Sequence, residues 1–378
     1  MYGYQPGTPD RRIAELQQKK GCGCKGCKGA WLERHCVVLN DMALLETVFV
    51  LTLLPYCLVA DVPSVPMMNA AKAGMKMPVA GLGTWGYVHK VNTGIPGEVW
   101  NDSIAETVVG QWLALGGRRV DGSLGYMDQI GVGKGIKASG IAREDLFMTS
   151  KLAPNGYNET FDQVDQILSD LQMDYVDLLL IHWPGPPAPG SKDPACKLFN
   201  ITSYGACRQS VWKAMEQLFN SGKARAIGVS NFEQNHIEDI IKLNGSIPSV
   251  NQVEYHPYWH EDDLVAYCKS KNIIFNSYAP LGTPDWAPAA HHWNGTILQL
   301  PIVQSIAEAH NHSAAQVIQR WEWQQGIVVN PRTLNQDHMK ENLNYFDFQL
   351  SDDEMKQLSN IKSVPTHPKV CPDPHIIP

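Results

Sequence analysis

The sequence predicts an α/β chain built as a (β/α)8 TIM barrel, with an N-terminal extension outside it. Three observations predict this. Strand-like apolar runs alternate with amphipathic helix patterns eight times between residues 78 and 346, and such alternation demands a parallel sheet with right-handed crossovers. Eight units over roughly 250–270 residues suit a closed barrel better than an open doubly wound sheet. No Gly-x-Gly-x-x-Gly opens a helix after the first strand; the glycine run at 131–135 falls inside a helix pattern and lacks that spacing.

The units follow in order. The first strand is 78–85, ending in Gly-Thr-Trp, followed by a helix over 102–115. Strand 118–123 leads to helix 129–139, and strand 146–152 to helix 160–171, whose Phe161, Val164, Ile167, Leu168 and Leu171 form one stripe. Strand 176–183 is a near-continuous apolar run, as burial on both faces requires. A Pro/Gly-rich loop at 184–207 precedes helix 210–220. Strand 224–231, helix 234–243, strand 249–257, helix 262–270 and strand 273–281 complete seven strands. After a second long loop come helices 302–309 and 314–325, the last strand at 327–332, and the last barrel helix at 336–346. The barrel domain spans 75–361 and a tail occupies 362–378.

At 378 residues, with 44% hydrophobic and 18% charged content, the chain can bury a large core. A net charge of −7 argues against a nucleic-acid binder, which would present a basic face. Residues 1–41 are polar and rich in Lys, Arg, Gly and Cys, and read as a disordered extension or an upstream translated segment. The nine cysteines divide into Cys22, Cys24, Cys27, Cys36 and Cys57 before the barrel, and Cys196, Cys207, Cys268 and Cys371 within or after it. The first three lack a second ligand pair, so the reading there is disorder and no metal.

Residues 42–60 resemble a secretory signal. The stretch 47–60 is uncharged, apolar, too short to span a bilayer comfortably, and ends at Ala60. It lies far from Met1, which suggests Met42 as the true start. A signal anchor, which would place the chain on a membrane, and a buried helix are the other readings. Six N-x-[ST] sequons, at Asn101, Asn158, Asn200, Asn244, Asn294 and Asn311, exceed the roughly two expected by chance. Cys196 and Cys207 bracket one loop and could close a local disulfide. The expected location is secreted or the secretory-pathway lumen, with the cytoplasm as the alternative.

The candidate chemistry sits at strand ends. Asp121 ends one strand, Tyr126 lies on the next loop, and Lys151 and His182 end the following two strands. A phenol, an ammonium, a carboxylate and an imidazole around one cavity are what a proton donor to a carbonyl needs, and barrel chemistry sits at such C-terminal ends. Taken singly, each has a plainer reading: a surface tyrosine, a barrel-end ion pair, a satisfied core histidine.

Several segments in consistent order resemble the aldo-keto reductase family: GLGTWG, VDGSLGYMDQIGVG, LFMTSKL, DYVDLLLIHWP, KARAIGVSNF, NQVEYHPY, SYAPLG and NPRTLNQDHMKENL. The resemblance covers about residues 75–361. It implies a (β/α)8 barrel, reversible carbonyl reduction, and NADPH bound without a Rossmann motif. It places Asp121, Tyr126, Lys151 and His182 on the family's catalytic four. Tyr126 is then the general acid. An ordinary phenol, with a pKa of about 10, is too weak at neutral pH, and the Lys151 ammonium is expected to lower it. Asp121 would hold Lys151 charged and aimed, and His182 would orient the substrate oxygen.

The same resemblance implies cofactor contacts. Ser230, Asn231 and Gln252 match the residues holding the nicotinamide carboxamide, and Tyr278 the stacking ring. Leu281 and Thr283 match the pyrophosphate loop. Arg332, Thr333, His338, Glu341 and Asn342 match the adenosine and 2′-phosphate end, with Thr84 and Trp85 beside the nicotinamide. Arg332 can fork onto a phosphate, but His338 stands where arginine is usual and offers less charge. NADPH is favoured and NADH is admissible. The Gly-Ser-Leu-Gly loop and Asp128-Gln129 also depart from the family pattern, which predicts altered substrate fit rather than lost chemistry. Trp85, Tyr126, His182, Trp183, and Trp286 or Trp293 are expected to line the substrate wall, suiting an apolar or aromatic carbonyl. The partner is a small carbonyl compound and the chain is expected to be a monomer. The competing function is a catalytically weak, cofactor-binding regulatory subunit on the same barrel, as in potassium-channel β subunits.

Overall fold

The computed structural model describes residues 62–86, 102–185, 203–284, 295–361 and 369–378. The segment 42–60, Trp286, Trp293, Cys196 and the sequons at Asn101, Asn200 and Asn294 lie outside them. The described chain opens with an antiparallel hairpin, β1 (Ser64–Pro66) and β2 (Lys76–Pro78). Eight barrel strands follow: β3 (Leu82–Gly83), β4 (Arg119–Asp121), β5 (Phe147–Leu152), β6 (Leu178–Ile181), β7 (Ile227–Ser230), β8 (Val250–Glu254), β9 (Ile274–Tyr278) and β10 (Val328–Asn330). They pair in chain order and all in parallel. A bridge between Ala80 and Val329 joins the two ends, so the sheet closes as expected.

Helices alternate with the strands: α1 (Asp102–Ala114), α2 (Gln129–Ser139), α3 (Tyr157–Leu171), α4 (Tyr204–Ser221), α5 (Gln234–Ile241), α6 (Asp262–Ser270), α7 (Pro301–His310), α8 (Ala314–Gln324), α9 (Gln336–Asn342) and α10 (Asp352–Ser359). Strands β4 to β8 are buried at every residue, which is why they read as apolar runs without alternation. The glycine run at 131–135 is a packing device. A Cβ at Gly131 would lie 2.0 Å from the Asp102 carbonyl, one at Gly133 2.4 Å from the Leu171 carbonyl, and one at Gly135 2.6 Å from the Glu106 carbonyl. Helix α2 can approach α1 and α3 this closely only without side chains there.

Inside the barrel the filling changes from apolar to polar. At one level Phe147, Leu178, Leu180, Ala226, Val250 and Val328 pack with Met67 and Met77 of the hairpin region. Elsewhere in the interior the buried Arg119 guanidinium donates to Asn276 Oδ1 at 3.2 Å and to the carbonyls of Val79 and Val329 at 3.0 and 2.6 Å. These two carbonyls lie where the sheet closes. Burial brings Arg119 down to about 10, although Asp121 opposes the shift.

Five details differ from expectation. The first strand divides, with residues up to 78 in the hairpin and only Leu82–Gly83 in the barrel ladder. Helix α3 starts three residues early, and α4 starts at Tyr204 because the Ser203 side chain caps Ala206 N at 3.2 Å. The helix expected over 336–346 ends at Asn342. Helix α10 was not expected; Ser351 and Glu354 start it as a reciprocal capping box.

Candidate active site

Strand β4 delivers Asp121, the following turn Tyr126, and β5 Lys151; His182 directly follows β6. Ser123 shapes the turn: its hydroxyl accepts from Gly125 N at 3.2 Å. The turn closes at Met127, which takes the left-handed conformation with φ 56°. Lys151 Nζ ion-pairs with Asp121 Oδ1, donates to the Gly122 carbonyl at 3.0 Å and reaches the Tyr126 hydroxyl at 3.4 Å. The rings of Tyr126 and His182 meet edge-on with centroids 5.5 Å apart. His182 Nδ1 lies 3.1 Å from Ser123 Oγ. The four expected residues therefore converge.

Their ionisation follows from burial. His182 is brought down to about 3 by burial and by the Lys151 ammonium, so its imidazole is neutral at physiological pH. Burial lowers Lys151 against the pull of Asp121. Tyr126 departs from expectation: burial, then Asp121, Asp128 and Cys371, hold its phenol well above the usual value. The expected lowering by Lys151 does not prevail, because burial and the neighbouring carboxylates outweigh it. Asp128 is fully buried. Burial raises it to about 7, against the Thr84 hydroxyl and Lys151.

The cofactor candidates divide into two groups. Near the four candidate catalytic residues, Gln252 Nε2 donates to Asp121 Oδ2 at 2.7 Å and to Asn276 Oδ1 at 2.9 Å. Ser230 Oγ donates to the Gln252 carbonyl at 2.8 Å. Asn231 Nδ2 donates to the His182 carbonyl at 3.0 Å, and Asn231 Oδ1 accepts from the Tyr278 hydroxyl at 2.8 Å. Thr84 is buried, and its backbone N–H donates to the Asp121 carbonyl at 2.9 Å. Trp183 stacks at 6.5 Å from His182. Leu281 is partly buried against the core, and Thr283 sits at φ 44° in a turn with Ala279 and Gly282 also at positive φ.

The second group lies at α9. An Arg332 guanidinium nitrogen donates to the Trp85 carbonyl at 3.3 Å, and Thr333 Oγ1 lies 3.4 Å from His338 Nδ1. Glu341 and Asn342 are tied to α8 and its cap: Glu341 Oε2 accepts from Ser313 Oγ at 2.8 Å, and Asn342 Oδ1 from Gln319 Nε2 at 2.6 Å. A cavity of about 690 Å³ lined by Pro301, Glu308, His312 and Ala314 contains none of these residues.

The sequence reading missed several contributors. Ser123 and Asn276 act through contacts between distant strands. The tail expected at 362–378 is no mere appendage: Glu254 accepts from Val370 N at 2.5 Å and Cys371 N at 2.7 Å, which brings Cys371 beside Tyr278. Asp128 was noticed as a departure, but its burial was not foreseeable.

Over residues 80–363 the chain matches the model of the Aldo/keto reductase family. The chain belongs to the aldo/keto reductase family. It is 37% identical over 287 residues to the glyoxal reductase of Bacillus subtilis, covering 75% of this chain and 89% of that protein. It is 35% identical over 315 residues to the morphine 6-dehydrogenase of Pseudomonas putida, covering 82% and 94%. Among solved structures, an aldo/keto reductase from Brucella melitensis matches with a TM-score of 0.65 at 32% identity, over 80% of this chain and 100% of that one. The family reduces carbonyl compounds with NAD(P)H, and this chain is an NAD(P)H-linked oxidoreductase. The residues present fit a nicotinamide dinucleotide: the hydroxyl of Thr283 is buried without a protein partner, and the Ser230 hydroxyl with the Asn231 and Gln252 amides lies next to Asp121 and His182.

Proposed function

We propose that this aldo/keto reductase reduces an aldehyde or ketone with NADPH, and that Tyr126 supplies the proton. The observation that carries this reading is the Lys151 ammonium 3.4 Å from the Tyr126 hydroxyl. The ammonium donates to the phenol oxygen, which leaves the phenol hydrogen for the substrate. Bound nicotinamide supplies hydride to the carbonyl carbon; everything else falls to the chain. The phenol stays protonated until the carbonyl oxygen becomes basic. Once its proton leaves, Lys151 stabilises the phenolate, and Asp121 keeps Lys151 in place. With the Ser123 hydroxyl 3.1 Å from His182 Nδ1 as the donor, the imidazole hydrogen sits on Nε2, where it can hold the carbonyl oxygen. Trp85 and Trp183 supply apolar wall.

Ser230, Asn231 and Gln252 would hold the carboxamide and Tyr278 would stack on the nicotinamide, with Thr84 and Trp85 alongside. Leu281 and Thr283 would border the pyrophosphate. Arg332, Thr333 and His338 would face the 2′-phosphate, and favour NADPH over NADH. Glu341 and Asn342 would sit at the adenosine end.

The chain is further proposed to work in the secretory-pathway lumen or outside the cell, as a glycoprotein. Cys207 is disulfide-bonded, which suits an oxidising compartment. Its expected partner Cys196 lies outside the described residues. Asn158, Asn244 and Asn311 are all exposed, as glycan acceptors must be.

The reading is tested by following nucleotide oxidation with a panel of aliphatic and aromatic aldehydes, using NADPH and then NADH. Turnover with preference for NADPH is expected. Tight NADP⁺ binding without turnover of any aldehyde would replace it with the regulatory-subunit reading.

A further inference from the structure

Away from the catalytic residues, three potential ligand atoms converge where the C-terminal segment crosses the body. Glu233 is the residue before α5, Glu261 the residue before α6, and His375 belongs to the tail. One ligand atom from each lies within 4.8 Å of the others. His375 Nε2 is 3.4 Å from Glu233 Oε2 and 3.8 Å from Glu261 Oε2. These separations are longer than good hydrogen bonds. They are close to the edge of a tetrahedron with metal–ligand bonds of about 2.1 Å, which is about 3.4 Å.

We propose that Glu233, Glu261 and His375 form a binding site for one divalent cation of zinc-like character, which ties the C-terminal segment to the ends of β7–α5 and β8–α6.

Two of the three ligands are already oriented from behind. Asp373 Oδ1 accepts from His375 Nδ1 at 2.7 Å, fixing the ring with Nε2 toward the carboxylates. Glu261 Oε1 accepts from the Trp259 indole at 2.8 Å, leaving Oε2 for the site. A carboxylate behind a histidine ligand is a usual support in zinc sites. The third ligand is an independent pointer. Glu233 is only 9% exposed, and its Oε1 has no hydrogen-bond partner. The Glu261 carboxylate faces it across the site. The cations already near are His375 itself and Lys369, whose Nζ lies 4.8 Å from the Trp259 ring centroid. An imidazole with two carboxylates suits zinc better than calcium or magnesium, which prefer all-oxygen shells.

The consequence reaches the catalytic cleft. Cys371 lies four residues before His375, and its neighbour Tyr278 hydrogen-bonds Asn231. A cation at His375 would hold Cys371 and this side of the cleft in one arrangement.

The test uses the full chain, freed of metal with a chelator and titrated with Zn²⁺ while bound metal and thermal midpoint are measured. The N-terminal cysteines are common to all variants, so the comparison is between variants. The expected result is one equivalent more in the parent chain than in either His375→Ala or Glu261→Gln, and a zinc-dependent rise in thermal midpoint that both lose. Asp373→Asn should weaken that equivalent about ten- to a hundredfold. Equal stoichiometry in the parent chain and both variants would overturn the proposal. So would a thermal midpoint that His375→Ala lowers equally with and without zinc, since the cluster would then be ion pairs alone.

Discussion

Lys151 reaches the Tyr126 hydroxyl at 3.4 Å while pairing with Asp121 in an interior closed to solvent. In the proposed mechanism the ammonium is shared between a carboxylate that is always there and a phenolate that exists only after proton transfer. An interaction made mainly after the proton leaves lowers the barrier without tightening the ground state.

Replacing Lys151 with methionine keeps most of the volume and removes the charge. Carbonyl reduction should fall by about 10²–10⁴. NADP⁺ affinity should change little, since the cofactor is assigned to other residues. Steady-state kinetics beside a fluorescence titration of NADP⁺ separates the two; equal losses in both would place Lys151 in cofactor binding instead.

Asp128 makes stability depend on pH. Its folded pKa, about 7, lies above the ordinary aspartate value of 3.8, so the folded state binds the proton more tightly. Its proton-linked contribution is present below the unfolded value and is lost as pH rises towards 7. Asp128→Asn should therefore gain little at pH 4 and stabilise the fold by a few kcal/mol at pH 8. Denaturant unfolding at the two pH values checks this; equal gains at both would refute it.

Glu254 works in the opposite sense. Burial raises its pKa, but the hydrogen bond from His256, the charge of Lys369 and the N–H of Val370 outweigh burial and leave it below the usual range. Its stabilisation is present above the unfolded value and is lost as pH falls through the lowered folded one. Glu254→Gln leaves one acceptor for two backbone donors and should cost about 1–3 kcal/mol. The tail should loosen first. Burial and Glu254 hold the Cys371 thiol up at about 12 in the parent chain, so alkylation of that thiol in the variant should be faster at pH 8. An unchanged alkylation rate would show that the tail is held by other contacts.

Much of this was legible in the sequence because the barrel imposes one-dimensional rules. A strand covered on both faces becomes an unbroken apolar run, as Leu178–Ile181 shows, and the candidate catalytic side chains fall at the ends of such runs. Contacts across the barrel were not legible. Arg119 meets Asn276, 157 residues away, and Glu254 meets Val370, 116 residues away; spacing along the chain carries no trace of either. The three-residue strands of the hairpin are too short to show a period. The Tyr126 pKa depends on whether burial or a neighbouring charge dominates, and only the packed structure shows how deeply the phenol is buried.

The central claim is that the Tyr126 hydroxyl delivers the proton. Its most direct measurement is kcat/KM for aldehyde reduction by Tyr126→Phe, together with the Kd for NADP⁺. Loss of reduction by at least about 10² with unchanged NADP⁺ affinity is the predicted result; reduction at the parent rate would contradict the account.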